Sequence, residues 1–127
     1  MKIALDTNRY TDFMAGEKVV HELLSLAEEV GVPLVVVAEL RSGFARGTKQ
    51  KQNEDILLRF LAQPWVKVLM PTLETTFLYA ELERDLQRRG SPIPTNDLWI
   101  AALSMQYGMH LYTRDKHFDR LPQLPRA

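Results

Sequence analysis

Apolar residues in this chain alternate between short unbroken runs and longer stretches with helical spacing. Lys2 to Leu5 is a short apolar run that reads as a first strand. From Val19 the positions Val19, Val20, Leu23, Leu24, Ala27 and Val30 follow the i, i+3, i+4 spacing of an amphipathic helix, closed by Gly31 and Pro33. Leu34-Val35-Val36-Val37 is unbroken and β-branched, as expected of a strand covered on both faces. A helix containing Leu40 and Phe44 follows, then a polar loop through Gly47-Thr48-Lys49-Gln50. Ile56, Leu57, Phe60 and Leu61 mark another helix, stopped before Pro64. Val66-Lys67-Val68-Leu69-Met70 reads as a strand ended by Pro71.

Helical spacing returns from about Leu73 to Arg89, with Phe77, Leu78, Leu82 and Leu86 directed inward, and stops at Gly90. Ser91-Pro92-Ile93-Pro94 is an extended loop, and Thr95 is the expected N-cap of a helix that carries Asp97 and ends at Gly108. His110 to Thr113 forms the last strand. No repeat, low-complexity tract or linker divides the 127 residues, so residues 1–127 make one domain. Strands alternating with helices, almost without hairpin signals, predict an α/β fold: a three-layer α/β/α domain around a mainly parallel sheet.

Composition narrows the chemistry by exclusion. Sixteen Lys plus Arg balance sixteen Asp plus Glu, so a polyanion is held by a local patch or through a metal, not by overall charge. A net charge of zero also resists self-association poorly, which points to a partner. No cysteine is present, which removes disulfides, thiolate zinc sites and thiol nucleophiles. The chain has no GxxxxGK[ST] or GxGxxG loop and no GxSxG elbow. No stretch is long and apolar enough for a signal peptide or membrane span, so a cytoplasmic location is expected.

Four acids remain to be explained. Asp6 ends the first strand, Glu39 follows the valine run, Asp97 opens Leu98-Trp99-Ile100-Ala101-Ala102-Leu103, and Asp115 comes just after the last strand. Singly, each has a structural reading. Asp6 and Asp115 suit turn or helix caps, Asp97 suits a helix first turn, and Glu39 suits a solvated helix face. Jointly, all four fall at the edge of the sheet where ligands bind in parallel α/β folds. Carboxylates gathered there repel one another unless a cation joins them, and oxygen-only donors favour Mg2+ or Mn2+. His21, His110 and His117 lack metal-ligand spacing and read as surface or strand-end histidines. A divalent ion on carboxylates suits water attack on a phosphodiester. An aspartyl phosphatase is disfavoured, because Asp6-Thr7-Asn8 lacks the second acid of a DxD site.

The segments Ala4-Leu5-Asp6-Thr7-Asn8, Val36-Val37-Ala38-Glu39-Leu40, Asn96-Asp97-Leu98-Trp99-Ile100-Ala101-Ala102 and Tyr112-Thr113-Arg114-Asp115-Lys116-His117-Phe118-Asp119 resemble the PIN domain. More narrowly, they resemble the VapC toxins of type II toxin–antitoxin systems, in order and over essentially the whole chain. The resemblance implies a Mg2+- or Mn2+-dependent endoribonuclease, inhibited by a VapB-type antitoxin and assembled as a homodimer. Asp6 and Asp97 match the principal metal ligands, Glu39 the second acid and Asp115 the fourth. Thr113 matches a hydroxyl position beside that fourth acid. Arg9-Tyr10 departs from the aliphatic residues common at those positions.

Asn8 and Asn96 adjoin the expected ligands and should support them. Arg41, Arg46, Lys49 and Lys51 follow Glu39 closely and are candidate RNA contacts, as are Arg9, Arg114 and Lys116 beside the acids. Two rivals stand beside the toxin reading: a stand-alone PIN RNA-processing nuclease without an antitoxin, and a non-catalytic RNA- or protein-binding module on the same fold.

Overall fold

In the computed structural model, which describes all 127 residues, four strands form one fully parallel sheet. The elements run β1 (Lys2–Leu5), α1 (Thr7–Met14), α2 (Lys18–Ser25), β2 (Glu29–Pro33), α3 (Leu34–Arg46), α4 (Gln50–Leu61), β3 (Val66–Leu69), α5 (Leu73–Arg88), α6 (Thr95–Gln106) and β4 (His110–Tyr112). A 3-10 helix over Lys116–Arg120 follows β4. The strand order is β3-β2-β1-β4, so the chain steps one way from β1 to β2 and the other way from β1 to β4. Their junction is the topological switch point, where loops diverge and leave a crevice at the C-terminal edge.

The valine run is helical rather than extended. Glu29–Pro33 takes the strand position instead, with Val30 opposite Val66 and Val32 opposite Val68 on β3. The helix expected to reach Val30 therefore ends at Ser25, and Val30 is a buried strand residue. The apolar spacing of a buried strand merged here with the tail of the preceding helix. Gly31 is what the site requires, because a Cβ there would lie 2.5 Å from the Met109 sulfur and 2.8 Å from the Leu69 side chain. Pro33 occupies the N-cap position of α3, where its missing N–H costs no helical hydrogen bond. Val36, Val37 and Leu40 then bury one face of α3, which offsets the modest helix propensity of valine.

Two further expectations are corrected. Thr95 is the first residue of α6, and Pro94 holds the N-cap position. Phe77 is 76% exposed and Leu78 half-buried, whereas Leu82 and Leu86 are buried as expected, joined by Thr75. Helix α1, which carried no apolar spacing strong enough to announce it, starts directly after Asp6.

The core spreads over both faces of the sheet. Ile3, Ala4 and Leu5 of β1 are buried, as are Val30 and Val32 of β2 and Leu111 and Tyr112 of β4. Helix α6 is closed to solvent along Ile100-Ala101-Ala102-Leu103, as its unbroken apolar run requires. Fully buried Phe118 pins the 3-10 helix to this core, and its loss as Ala costs about 3–5 kcal/mol by analogy with other buried phenylalanines. No helix is long and apolar enough to cross a membrane.

Candidate metal centre

β1 and β4 end side by side, with the Asp6 amide donating to the Tyr112 carbonyl at 3.1 Å. This pairing sets Asp6 against Thr113. The Thr113 hydroxyl donates to Asp6 Oδ2 at 2.6 Å and accepts from the Asp115 amide at 2.9 Å. Asp6 is also the N-cap of α1, its Oδ1 accepting from the Thr7 amide at 2.8 Å, so the capping reading is true and incomplete. Asn8 spans the same junction. Its amide nitrogen reaches Asp6 Oδ2 and Thr113 Oγ1 at 3.4 and 3.3 Å, and its carbonyl accepts from the Arg114 amide at 3.1 Å.

Glu39 enters from the second turn of α3, not from a strand end. The Thr7 hydroxyl donates to its Oε1 at 2.8 Å, and Asn96 approaches Oε2 at 3.5 Å. Asp97 arrives from the first turn of α6 and is almost closed to solvent. Asp115 caps the 3-10 helix by accepting from the His117 amide at 2.9 Å. That turn folds the His117 ring back over the acids, Nδ1 lying 2.9 Å from Asp97 Oδ2 and 3.2 Å from Asp115 Oδ1. His117 is thus a member of the cluster rather than a plain surface histidine. The Asp-x-His spacing was the available signal for it.

Electrostatics join the four acids. Burial raises the Asp6 pKa above the ordinary carboxylate value; hydrogen bonds from Thr113 and the Thr7 amide oppose this, and the charges of Glu39 and Asp115 add to it. Burial also raises that of Asp97; the His117 hydrogen bond opposes this, and Asp115 and Asp6 add to it. No Lys or Arg pairs with any of the four, and His117 is the one basic side chain in contact. Three of these side chains, Asp97, Asp115 and His117, bring ligand atoms within 4.8 Å of one another. A mostly oxygen donor set, crowded and short of positive charge, fits a hard divalent cation.

Three of the nearby cations, Arg9, Arg114 and Arg41, are committed elsewhere. Arg114 makes two hydrogen bonds to Asp12 through Nε and Nη2 at 2.8 and 2.9 Å, and Arg9 adds a third through Nη1 at 3.2 Å. Arg9 also lies over the Tyr112 ring, 4.3 Å from its centroid. Asp12 is the acid that reading the sequence missed; it has neither a strand end nor an apolar run to mark it. Arg41 is held by Glu54 on α4 and shares a groove with Lys51, away from Glu39. Arg46 does stand with Glu39, Asn96 and Trp99, lining an open cleft of about 600 Å³. Lys49 and Lys116 are exposed.

The PIN-domain family model matches residues 3–124. The chain belongs to the PIN-domain family. Ribonuclease VapC2 of Rickettsia felis is 33% identical over 104 residues, covering 81% of this chain and 76% of the relative. The crystal structure of VapBC2 from Rickettsia felis, bound to a DNA fragment from its promoter, superposes with a TM-score of 0.88 at 27% identity. That match covers 100% of this chain and 98% of the other. VapBC-1 from nontypeable Haemophilus influenzae gives a TM-score of 0.87 at 25% identity, covering 100% and 97%. The four segments that resembled the PIN domain are thus those that carry the acids to one edge of a PIN fold.

Proposed function

We propose that this chain is a Mg2+- or Mn2+-dependent endoribonuclease and the toxin of a type II toxin–antitoxin pair. The observation that carries the reading is the gathering of Asp6, Glu39, Asp97 and Asp115 at the sheet's switch point with no Lys or Arg among them. Names of the relatives, a ribonuclease VapC and two VapBC complexes, supply the substrate class and the partner class.

Asp6 and Asp97 hold the ion, and Glu39 and Asp115 complete the cluster or orient the attacking water. When bound, the ion lowers the pKa of water and neutralises charge developing on the phosphodiester. Thr113 and Asn8 fix the Asp6 carboxylate by hydrogen bonding to Oδ2, and Asn96 steadies Glu39. Arg46, which lines the cleft, holds an RNA phosphate, with the exposed Lys49, Lys51 and Lys116 as outer contacts. Arg9, Arg114 and Arg41 are already matched by Asp12 and Glu54.

The partners are RNA, a VapB-type antitoxin and a second copy of the chain. Supporting self-association, Leu73 and Phe77 stand one turn apart on α5 and are 84% and 76% exposed. The test is direct. Purified protein cleaves RNA with Mg2+ or Mn2+ and stops with EDTA; its expression slows growth, and co-expression of the antitoxin relieves this. Cleavage that survives EDTA refutes the metal reading. A chain harmless on its own refutes the toxin reading.

A further inference from the structure

The position of His117 extends that reading, and the extension rests on the carboxylates being a metal site. We propose that His117 is itself a ligand, giving its Nδ1, which lies between Asp97 and Asp115, to the ion that Asp6 and Asp97 hold, and tuning the site toward Mn2+ over Mg2+.

Three observations converge. First, the ring is delivered to the site by local structure. Asp115 accepts from the His117 amide, and Phe118, fully buried, fixes the same turn from the other side. The imidazole therefore reaches the acids without being drawn there by its own hydrogen bond alone. Secondly, the spacing suits shared coordination. Adjacent ligands of an octahedral ion with bonds near 2.1 Å lie roughly 3.0 Å apart. Nδ1 lies 2.9 Å from Asp97 Oδ2 and 3.2 Å from Asp115 Oδ1. Thirdly, the side chain remains 42% exposed, so the ring is open to water and to an entering ion.

The chemical consequence concerns selectivity. Mg2+ strongly prefers oxygen, whereas imidazole stabilises Mn2+ more than Mg2+ and is a common ligand for the later transition metals. A lone nitrogen among carboxylates leaves Mg2+ affinity nearly untouched and raises Mn2+ affinity. A histidine that merely donates a hydrogen bond to Asp97 steadies the carboxylate for both ions alike. These two roles separate experimentally.

The experiment is pulsed electron paramagnetic resonance of the full chain with a substoichiometric amount of Mn2+. Directly bound imidazole gives a strong 14N modulation, and a hydrogen-bonded one does not. The wild type is expected to show it, His117→Ala to lose it, and His21→Ala to keep it. Calorimetry on the same proteins is expected to show Mn2+ affinity falling about tenfold in His117→Ala, with Mg2+ affinity changing far less. Mn2+ bound without 14N modulation overturns the proposal and leaves the carboxylate site standing. So does an equal loss of both affinities. Failure to bind Mn2+ at all removes both the ligand assignment and the metal reading beneath it. The wild-type spectrum decides the matter even where His117→Ala folds poorly.

Discussion

Asp6 and Asp12 sit at opposite ends of α1, both almost closed to water, and their chemistry points in opposite directions. Asp12 is held below the ordinary carboxylate range, first by hydrogen bonds from Arg114; burial, the next largest effect, opposes this, and the Arg9 hydrogen bond and both arginine charges add to the lowering. Asp6 is pushed up by burial, and its surroundings add Glu39 and Asp115 rather than a cation. One carboxylate has its counter-charge within the fold, and the other lacks it. A folded chain keeps uncompensated buried charge at a cost, and such sites cluster where a ligand completes them. Asp97 belongs with Asp6 in this respect.

The largest effect that separates the two kinds of acid is on catalysis. Asp97→Asn keeps the side chain's size and removes a charged ligand, so RNA cleavage falls by at least about tenfold to a hundredfold. Metal-free Tm holds or rises, since the variant no longer has to ionise among other acids. Asp12→Asn does the reverse. It strands two guanidinium groups and lowers Tm by roughly 3–6 °C, while cleavage per folded molecule changes far less. Thermal melts in EDTA beside an RNA cleavage assay measure both. If Asp97→Asn melts lower without metal and keeps its activity, Asp97 is a structural cap.

Added Mg2+ sharpens the contrast. An ion at a hundred times its dissociation constant stabilises the folded state by about 2.7 kcal/mol. Wild type and Asp12→Asn should gain equally in Tm, and Asp97→Asn should gain little. Equal gains in all three proteins would move the ion away from Asp97.

Legibility in the sequence divides along the same line. Asp6, Asp97 and Asp115 were legible because each adjoins a local signal, respectively a strand end, a buried apolar helix and a strand end. Glu39 was found for a partly wrong reason. Leu34–Val37 has the composition of a strand, but pairing with both β1 and β3 is satisfied by Glu29–Pro33, and the valines are left to bury a helix face. Asp12 was not legible, and His117 was marked only by its Asp-x-His spacing, because the roles of both depend on distant partners. The Arg114–Asp12 contact joins residues far apart in the chain, and the His117–Asp97 contact is made only when the last turn folds back.

Protonation gives the two acids opposite pH signatures in metal-free protein. A group whose folded pKa is raised contributes stability that is present below its unfolded value, about 3.9 for Asp, and lost as pH climbs through the folded value. Asp6 and Asp97 follow this rule. A group whose folded pKa is lowered contributes stability that is present above its unfolded value and lost as pH falls through the folded one. Asp12 follows that rule. Melts in EDTA from about pH 3 to 8 should therefore pass through a maximum on the acid side of neutrality. Asp97→Asn flattens the limb above the maximum, and Asp12→Asn flattens the limb below it. A single variant that flattens both limbs would break the separation.

The smallest effect tests whether the same distinction holds for cations. Arg41 is matched by Glu54 through two hydrogen bonds of 3.0 and 2.8 Å, whereas Arg46 meets only the Ser42 hydroxyl at 3.1 Å. Arg46 shares the cleft with Glu39 and Asn96, and Arg41 does not. An unmatched guanidinium beside the acids is the one free to take an RNA phosphate. Arg46→Ala should raise KM for RNA a few-fold with little change in kcat. It should also lower the slope of log affinity against log salt by about 0.7, the value for one phosphate contact on a single strand. Arg41→Ala should leave both quantities near the wild-type values, since its charge is already neutralised by Glu54. Steady-state cleavage and binding isotherms at several salt concentrations read these differences. A larger salt effect from Arg41→Ala than from Arg46→Ala would place the RNA along the groove between α3 and α4 instead of in the cleft beside Glu39.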